Sequence, residues 1–153
     1  MFALTDKEAS ETPIVVTCTL LIDNCYTKVL FNSGVTHSFI SSNFVKSLQN
    51  RHLEIFESEL LVRTPIGVDA RISHKIPMIE INLTGKKLPT EVYVLDVKDF
   101  DVILGMDWLE IHYVLLDCRH KRIIFQRPRE KEFTFQCPKD KFGKFLISTL
   151  RAD

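Results

Sequence analysis

Short runs of Val, Ile, Leu, Thr and Phe, about 8–12 residues apart and divided by turn residues, constrain this chain more than any other feature. Ile14–Ile22 and Tyr26–Phe31 flank the turn-prone pair Asp23-Asn24 and predict a hairpin. Glu59–Arg63 and Val68–Ser73 flank 64-TPIG-67, where Pro65 presets φ and Gly67 permits a tight reversal. Their apolar–polar alternation predicts a second hairpin that projects from the body. Ile76–Leu83 and Leu88–Leu95 follow, joined by 84-TGKK-87. Val102–Leu104 is short, apolar and stopped by Gly105, the pattern of a strand covered on both faces. Tyr113–Leu116 and Arg122–Gln126 read as further strands. Only two helices suggest themselves. One runs from about Ser38 to Leu48 with an apolar stripe of Phe39, Phe44, Val45 and Leu48, capped by Ser38 or a neighbour; the other is a short turn over Asp107–His112. Many short strands and little helix predict an all-β barrel or sandwich.

At 153 residues the chain has room for one domain and one core. Residues 13–127 carry the regular pattern; 1–12 read as an N-terminal tail or linker, and 128–153 as a C-terminal strand and linker segment. Twenty basic and twenty acidic residues cancel, so no nucleic-acid partner is expected. The basic stretch 119-RHKRIIFQRPR-129 alternates with apolar residues and reads as the solvated side of a strand. No apolar run reaches the ~18 residues that would cross a bilayer, and no membrane partner is expected. The first ten residues lack the pattern of a secretion signal, which points to an intracellular, cytoplasmic protein. Cys18, Cys25, Cys118 and Cys137 are irregularly spaced, and the five histidines do not pair with them at zinc spacing. Reduced, mostly buried thiols and no metal or cofactor are the expectation.

Two stretches carry a family resemblance. In 29-VLFNSGVTHSFIS-41 an apolar strand runs into Asn-Ser-Gly-Val, and 99-DFDVILGMDWLEIHYVLLDCRHKRIIF-125 follows later in the chain. Together they resemble the retropepsin-like aspartic protease domain of gypsy-type LTR retrotransposon gag-pol polyproteins. The likeness covers roughly residues 2–136 with its parts in the right order. It implies an all-β, single-lobe closed barrel of the acid-protease kind, with one or two short helices, paired as a two-fold homodimer around an extended polypeptide. By the same resemblance Asn32, Ser33 and Gly34 form the active-site turn. Thr64, Pro65, Ile66 and Gly67 form the tip of a substrate-covering flap, and Ile103-Leu104-Gly105 passes beneath the turn. Lys141–Ala152 resembles, more weakly, the connector toward reverse transcriptase.

The resemblance expects Asp at position 32, and this chain has Asn32. Peptide hydrolysis in the family uses two carboxylates, one per subunit, which share a proton because like charges so close cannot both ionise. One takes a proton from water while the other gives one to the scissile carbonyl. Asn keeps the shape but neither accepts a proton at accessible pH nor has a carboxylic proton to give. The chain is therefore expected to be an aspartic endopeptidase by fold and inactive as written. Ser33 is expected to link the two turns across the dimer. Gly34 supplies close backbone approach, and Asp101 and Asp107 are poor replacements for the missing carboxylate. Asp107 reads as a helix N-cap, Asp23 as a turn residue, His37 as a polar helix start, and Trp108 as core or subunit packing. A non-enzymatic dimerisation or peptide-binding module is the alternative. An unrelated small β-barrel holding an apolar ligand is a third possibility.

Overall fold

The structure, a computed structural model, describes residues 12–22, 25–48, 54–63, 69–83 and 85–138. In these segments the chain forms ten strands and two short helices. The strands are β1 (Val15–Ile22), β2 (Cys25–Asn32), β3 (Phe39–Ser41), β4 (Phe56–Arg63), β5 (Asp69–Leu83), β6 (Lys86–Leu95), β7 (Val102–Leu104), β8 (Val114–Asp117), β9 (Arg122–Phe125) and β10 (Phe133–Gln136). The helices are α1 (Ser42–Ser47) and α2 (Met106–Ile111). A seven-stranded sheet runs β1-β2-β7-β3-β6-β5-β4, and a three-stranded sheet runs β10-β9-β8. The larger sheet curls on itself, so that β1 packs against β5 despite their separation in the hydrogen-bonded order.

Strands β2, β3 and β7 explain why the middle of the sheet is apolar on both sides. Successive side chains on a strand point to opposite faces. Val29, Phe31, Ile40, Val102 and Leu104 enter the main core, while Leu30, Phe39 and Ile103 enter a second cluster with Val35, Val62 and Ile72. Burial of Val102–Leu104 on both faces agrees with its sequence pattern. The β4–β5 hairpin does more than project: Val62 and Ile72 join the second cluster with Leu60 packed against it, while Leu61, between Leu60 and Val62 on β4, stays exposed. The reversals at Asp23-Asn24 and Thr64–Gly67 lie outside the described residues, as do 1–11 and 139–153.

Several expectations are corrected. Val68 lies outside the described residues, and the expected strands Val68–Ser73 and Ile76–Leu83 are not separate: from Asp69 onward they form one fifteen-residue strand, β5. Its register against β6 shifts between Ile76 and Ile79, around Pro77, whose missing N–H cannot serve the ladder. The helix expected from Ser38 begins at Ser42 instead, because Phe39 and Ile40 are drawn into different apolar layers as β3, between β7 and β6. Ser41 caps α1, its Oγ accepting from the N–H groups of Asn43 and Phe44 at 3.1 and 3.4 Å. Within the expected C-terminal strand and linker segment, by contrast, residues 133–136 do form a strand, β10, paired with β9. Cys18 and Cys137 are joined by a disulfide with a Cα–Cα distance of 5.5 Å, so two of the four cysteines are not reduced thiols. Spacing in sequence gave no hint of a pair 119 residues apart.

Candidate active site

Strand β2 ends at Asn32, and Ser33-Gly34 turn the chain sharply. The turn is held from three sides. Its own side chain closes it first: Gly34 N–H donates to Asn32 Oδ1 at 2.7 Å. An amide placed the other way round would set N–H against N–H, so the oxygen must face Gly34. Asn32 is 8% exposed. The N-terminal strap holds it next. Ser33 N–H donates to the carbonyl of Ile14 at 3.0 Å, and Ile14 N–H donates back to Ser33 Oγ at 2.8 Å. A Cβ on Gly34 would lie 2.8 Å from Cβ and Cγ of Pro13, so the strap needs glycine there.

The third support is the Gly105 segment. Strand β7 pairs in parallel with β2 through Val29↔Val102, Leu30↔Ile103 and Phe31↔Leu104, which delivers Gly105 beneath the turn. A Cβ on Gly105 would collide with the carbonyl oxygen of His37 and lie 2.8 Å from that of Val35. This glycine is dictated by close approach, not by an unusual φ. Beyond it, the first N–H groups of α2 lack intrahelical partners. Met106 N–H donates to Val35 O at 2.8 Å, and Asp107 N–H to Thr36 O at 3.0 Å. The residues just past the turn thus cap the helix, and turn and helix form one unit.

Ser38 and Asp107 close that unit. Ser38 Oγ donates to Asp107 Oδ1 at 2.7 Å and accepts from Gly105 N–H at 3.1 Å. Asp107 Oδ1 also accepts from Trp108 N–H at 2.6 Å. Gly105, not Asp107, occupies the N-cap position of α2, because the helix begins one residue earlier than its sequence suggests. Asp101 is also committed elsewhere: its Oδ2 accepts from Lys28 N–H at 2.8 Å, and burial pushes its carboxyl above the ordinary range. Lys28 lies four residues up β2 from Asn32, about 13 Å at the usual strand rise, which keeps Asp101 away from the turn. His37 packs edge-on against Tyr93, with ring centroids 5.5 Å apart. Trp108 is buried between Phe31, His112 and Phe125, and its Nε1–H donates to Thr90 Oγ1 at 3.0 Å. The structure thus brings together Asn32, Ser33, Gly34, Ile103, Leu104 and Gly105. The flap residues Thr64, Pro65, Ile66 and Gly67 lie outside what it describes. The sequence marked Ile14 only as a strand start and Ser38 only as a helix cap, and did not mark Pro13; their roles at the turn escaped it because their partners are distant in the chain.

Beside Ser33 opens a groove of about 840 Å³. Ile14, Met106, Leu109, Tyr113 and Leu115 line it, and Ile14, Tyr113 and Leu115 are 46%, 53% and 52% exposed. Among the described residues no group of His, Cys, Asp or Glu is placed to hold a metal ion, and no helix is long and apolar enough to cross a membrane.

The site is thus a strand-end turn with a glycine-bearing strand crossing beneath it. The profile of the retroviral aspartyl protease family matches residues 1–131. The chain belongs to that family. Protein DDI1 homolog of Leishmania major is 26% identical over 113 residues, 73% of this chain and 28% of that protein. Uncharacterized protein 7 of soybean chlorotic mottle virus is 32% identical over 98 residues, 63% of this chain and 62% of that protein. The chain therefore spans less than two thirds of either relative. The crystal structure of the retroviral protease-like domain of Ddi1 from Leishmania major superposes with a TM-score of 0.58 at 22% identity, covering 85% of this chain and 97% of that one. The fold is accordingly that of a retropepsin-like aspartic protease domain, mostly β with two short helices.

Proposed function

We propose that this protease-family domain derives from a gypsy-type retrotransposon gag-pol polyprotein, pairs as a symmetric homodimer, and holds extended polypeptide without cutting it. The observation that carries this reading is the bond from Gly34 N–H to Asn32 Oδ1. It uses the oxygen of Asn32 as the local acceptor, so the other end of the side chain is the amide nitrogen Nδ2. That nitrogen offers two N–H donors and no lone pair or acidic proton. A carboxyl at the same place would keep the turn and add a group able to exchange a proton with its two-fold mate. General acid–base catalysis contributes about 10²–10⁴-fold per role, and here both roles fail together.

Dimerisation gains support from the groove beside Ser33. Its exposed apolar lining suits a second copy, and an isologous interface there would set two identical turns side by side. Ser33 Oγ accepts from Ile14 N–H and keeps its own proton, which it would donate to the partner's turn. In this reading the flap formed by Thr64, Pro65, Ile66 and Gly67 covers a peptide laid strand-wise against it. The alternative, a dimerisation or peptide-binding module that never was an enzyme, shares the same groove and differs in its response to one substitution.

That substitution is Asn32→Asp. The variant is expected to cleave peptides at mildly acid pH and to be blocked by pepstatin, while the parent stays silent. Pepstatin-sensitive cleavage by the parent would overturn the reading. A well-folded, dimeric but inert Asn32→Asp variant would favour the module that never was an enzyme.

A further inference from the structure

We propose that the Cys18–Cys137 disulfide is a redox-operated clasp: closed, it pins the C-terminal arm Phe133–Cys137 to the barrel, and a thiol reductant releases that arm. Cys18 lies within β1 and faces the main core, while Cys137 is the first residue after β10. Both are buried, at 0% and 1% exposure. The bond thus fastens the end of the three-stranded sheet to the edge strand of the seven-stranded one.

Apart from the disulfide, the arm is held by its pairing with β9 and by Phe133 against Phe125, with ring centroids 5.2 Å apart. Lys86 Nζ lies 5.6 Å from the centre of the Phe133 ring, and Arg122 Nε–H donates to Gln136 Oε1 at 3.1 Å. Among the described residues β10 is an edge strand of four residues, paired only with β9. Phe133 and Phe135 are half-buried against the core, and Thr134 and Gln136 face solvent. Gln136 Nε2 donates to His120 O at 2.9 Å and Lys121 O at 3.2 Å, and Cys137 N–H donates to Lys121 O at 3.0 Å. Both side-chain bonds lie where water competes for them. Strand β9 is anchored differently, by fully buried Ile123 and by Phe125 against Trp108. A short edge strand with few buried contacts belongs to the low-stability end of a fold, whereas its neighbour does not. Without the covalent link, the arm and the barrel can separate as units.

The chemistry balances as ordinary exchange. A reductant thiolate attacks one sulfur, forms a mixed disulfide and expels the other as thiolate; a second reductant thiol then resolves the mixed disulfide. Overall, one protein disulfide and two reductant thiols become two protein thiols and one oxidised reductant. Because both sulfurs are buried, the arm must fray before a thiolate can reach them. A reducing thiol pool opens such a bond and an oxidising one preserves it.

The test combines thiol counting with hydrogen exchange on the whole chain. Protein purified without reductant, unfolded and alkylated, is expected to carry two labels, on Cys25 and Cys118, and four after dithiothreitol. In folded protein, dithiothreitol should speed exchange of the amides of Phe133–Cys137 at least about tenfold while leaving β2 and β7 unchanged. Cys137→Ser should show the fast arm with or without reductant, and a Cys25→Ser/Cys118→Ser variant should behave as the parent does. Four labels before reduction would overturn the proposal. So would an arm indifferent to reductant, or a uniform rise across all strands, which would make the bond a global staple.

Discussion

Ser38 Oγ donates to Asp107 Oδ1 at 2.7 Å across 69 residues of sequence, and the same oxygen accepts from the buried N–H of Gly105. One hydroxyl therefore ties the segment leaving the active-site turn to the strand end beneath it and to the helix that follows. Ser38 is fully buried, so water cannot replace it.

Ser38→Ala should leave Gly105 N–H without an acceptor. An orphaned buried donor costs about 1–3 kcal/mol. The midpoint of denaturant unfolding should fall with an unchanged slope. Asp107→Asn keeps an oxygen to accept from Ser38 and should cost less than Ser38→Ala; the opposite order would refute this account of the link.

Gly105→Ala and Gly85→Ala separate crowding from backbone conformation. A Cβ at Gly105 meets two backbone carbonyls, which cannot move without displacing the turn, so the cost should reach about 3 kcal/mol. Gly85 has φ of 83° with open space around it, and its substitution should cost about 1–2 kcal/mol from the left-handed backbone alone. Unfolding measurements that rank Gly85→Ala as the worse variant would contradict the packing described for Gly105.

His112 makes the fold sensitive to acid. Burial, and then the charge of Arg127, lower its pKa from 6.5 to about 4. Arg127 Nη2 lies 2.6 Å from Nδ1 and donates to it, so the ring is neutral with its proton on Nε2. The unfolded chain takes up a proton near pH 6.5 and the folded chain only near pH 4. Stability should therefore be intact above pH 6.5 and fall through that window by about 2–3 kcal/mol. The thermal midpoint should drop from pH 7 to pH 4.5, and His112→Gln should flatten the drop. An equally steep profile in the variant would assign the acid sensitivity to other groups.

Leu115→Glu tests the proposed pairing surface. Leu115 is 52% exposed on β8 and lines the groove beside Ser33, so a charge there should leave the fold intact while burying poorly against a second copy. Sedimentation velocity should show a dimer for the parent and at least a tenfold weaker association for the variant. A monomeric parent would remove the pairing surface from the account.

How much of this was legible beforehand differs by element. Strands whose apolar residues alternate or run unbroken could be read directly, because burial on one or both faces writes itself into the local pattern; Val102–Leu104 is the clearest case. Phe39 and Ile40 could not be read. Their spacing to Phe44 and Leu48 imitates a helical stripe, and only the slot between β6 and β7 makes them a strand. The gap expected between Ser73 and Ile76 does not exist, and Pro77 inside the expected second strand marks a register shift, with β6 pairing on both sides of it. The Cys18–Cys137 bond had no local signature.

By itself the sequence determined that the chain is a β protein with a strand-end turn at Asn32-Ser33-Gly34 and an apolar strand ending at Gly105, since these depend on periodicity and residue chemistry within a few positions. It also determined that position 32 carries an amide. Tertiary structure alone decided that Pro13 and Ile14 strap the turn, that Ser38 joins it to Asp107, and that Cys137 meets Cys18. Those contacts span 19 to 119 residues, and what brings them together is the packing of β1, β2 and β7 around a shared core.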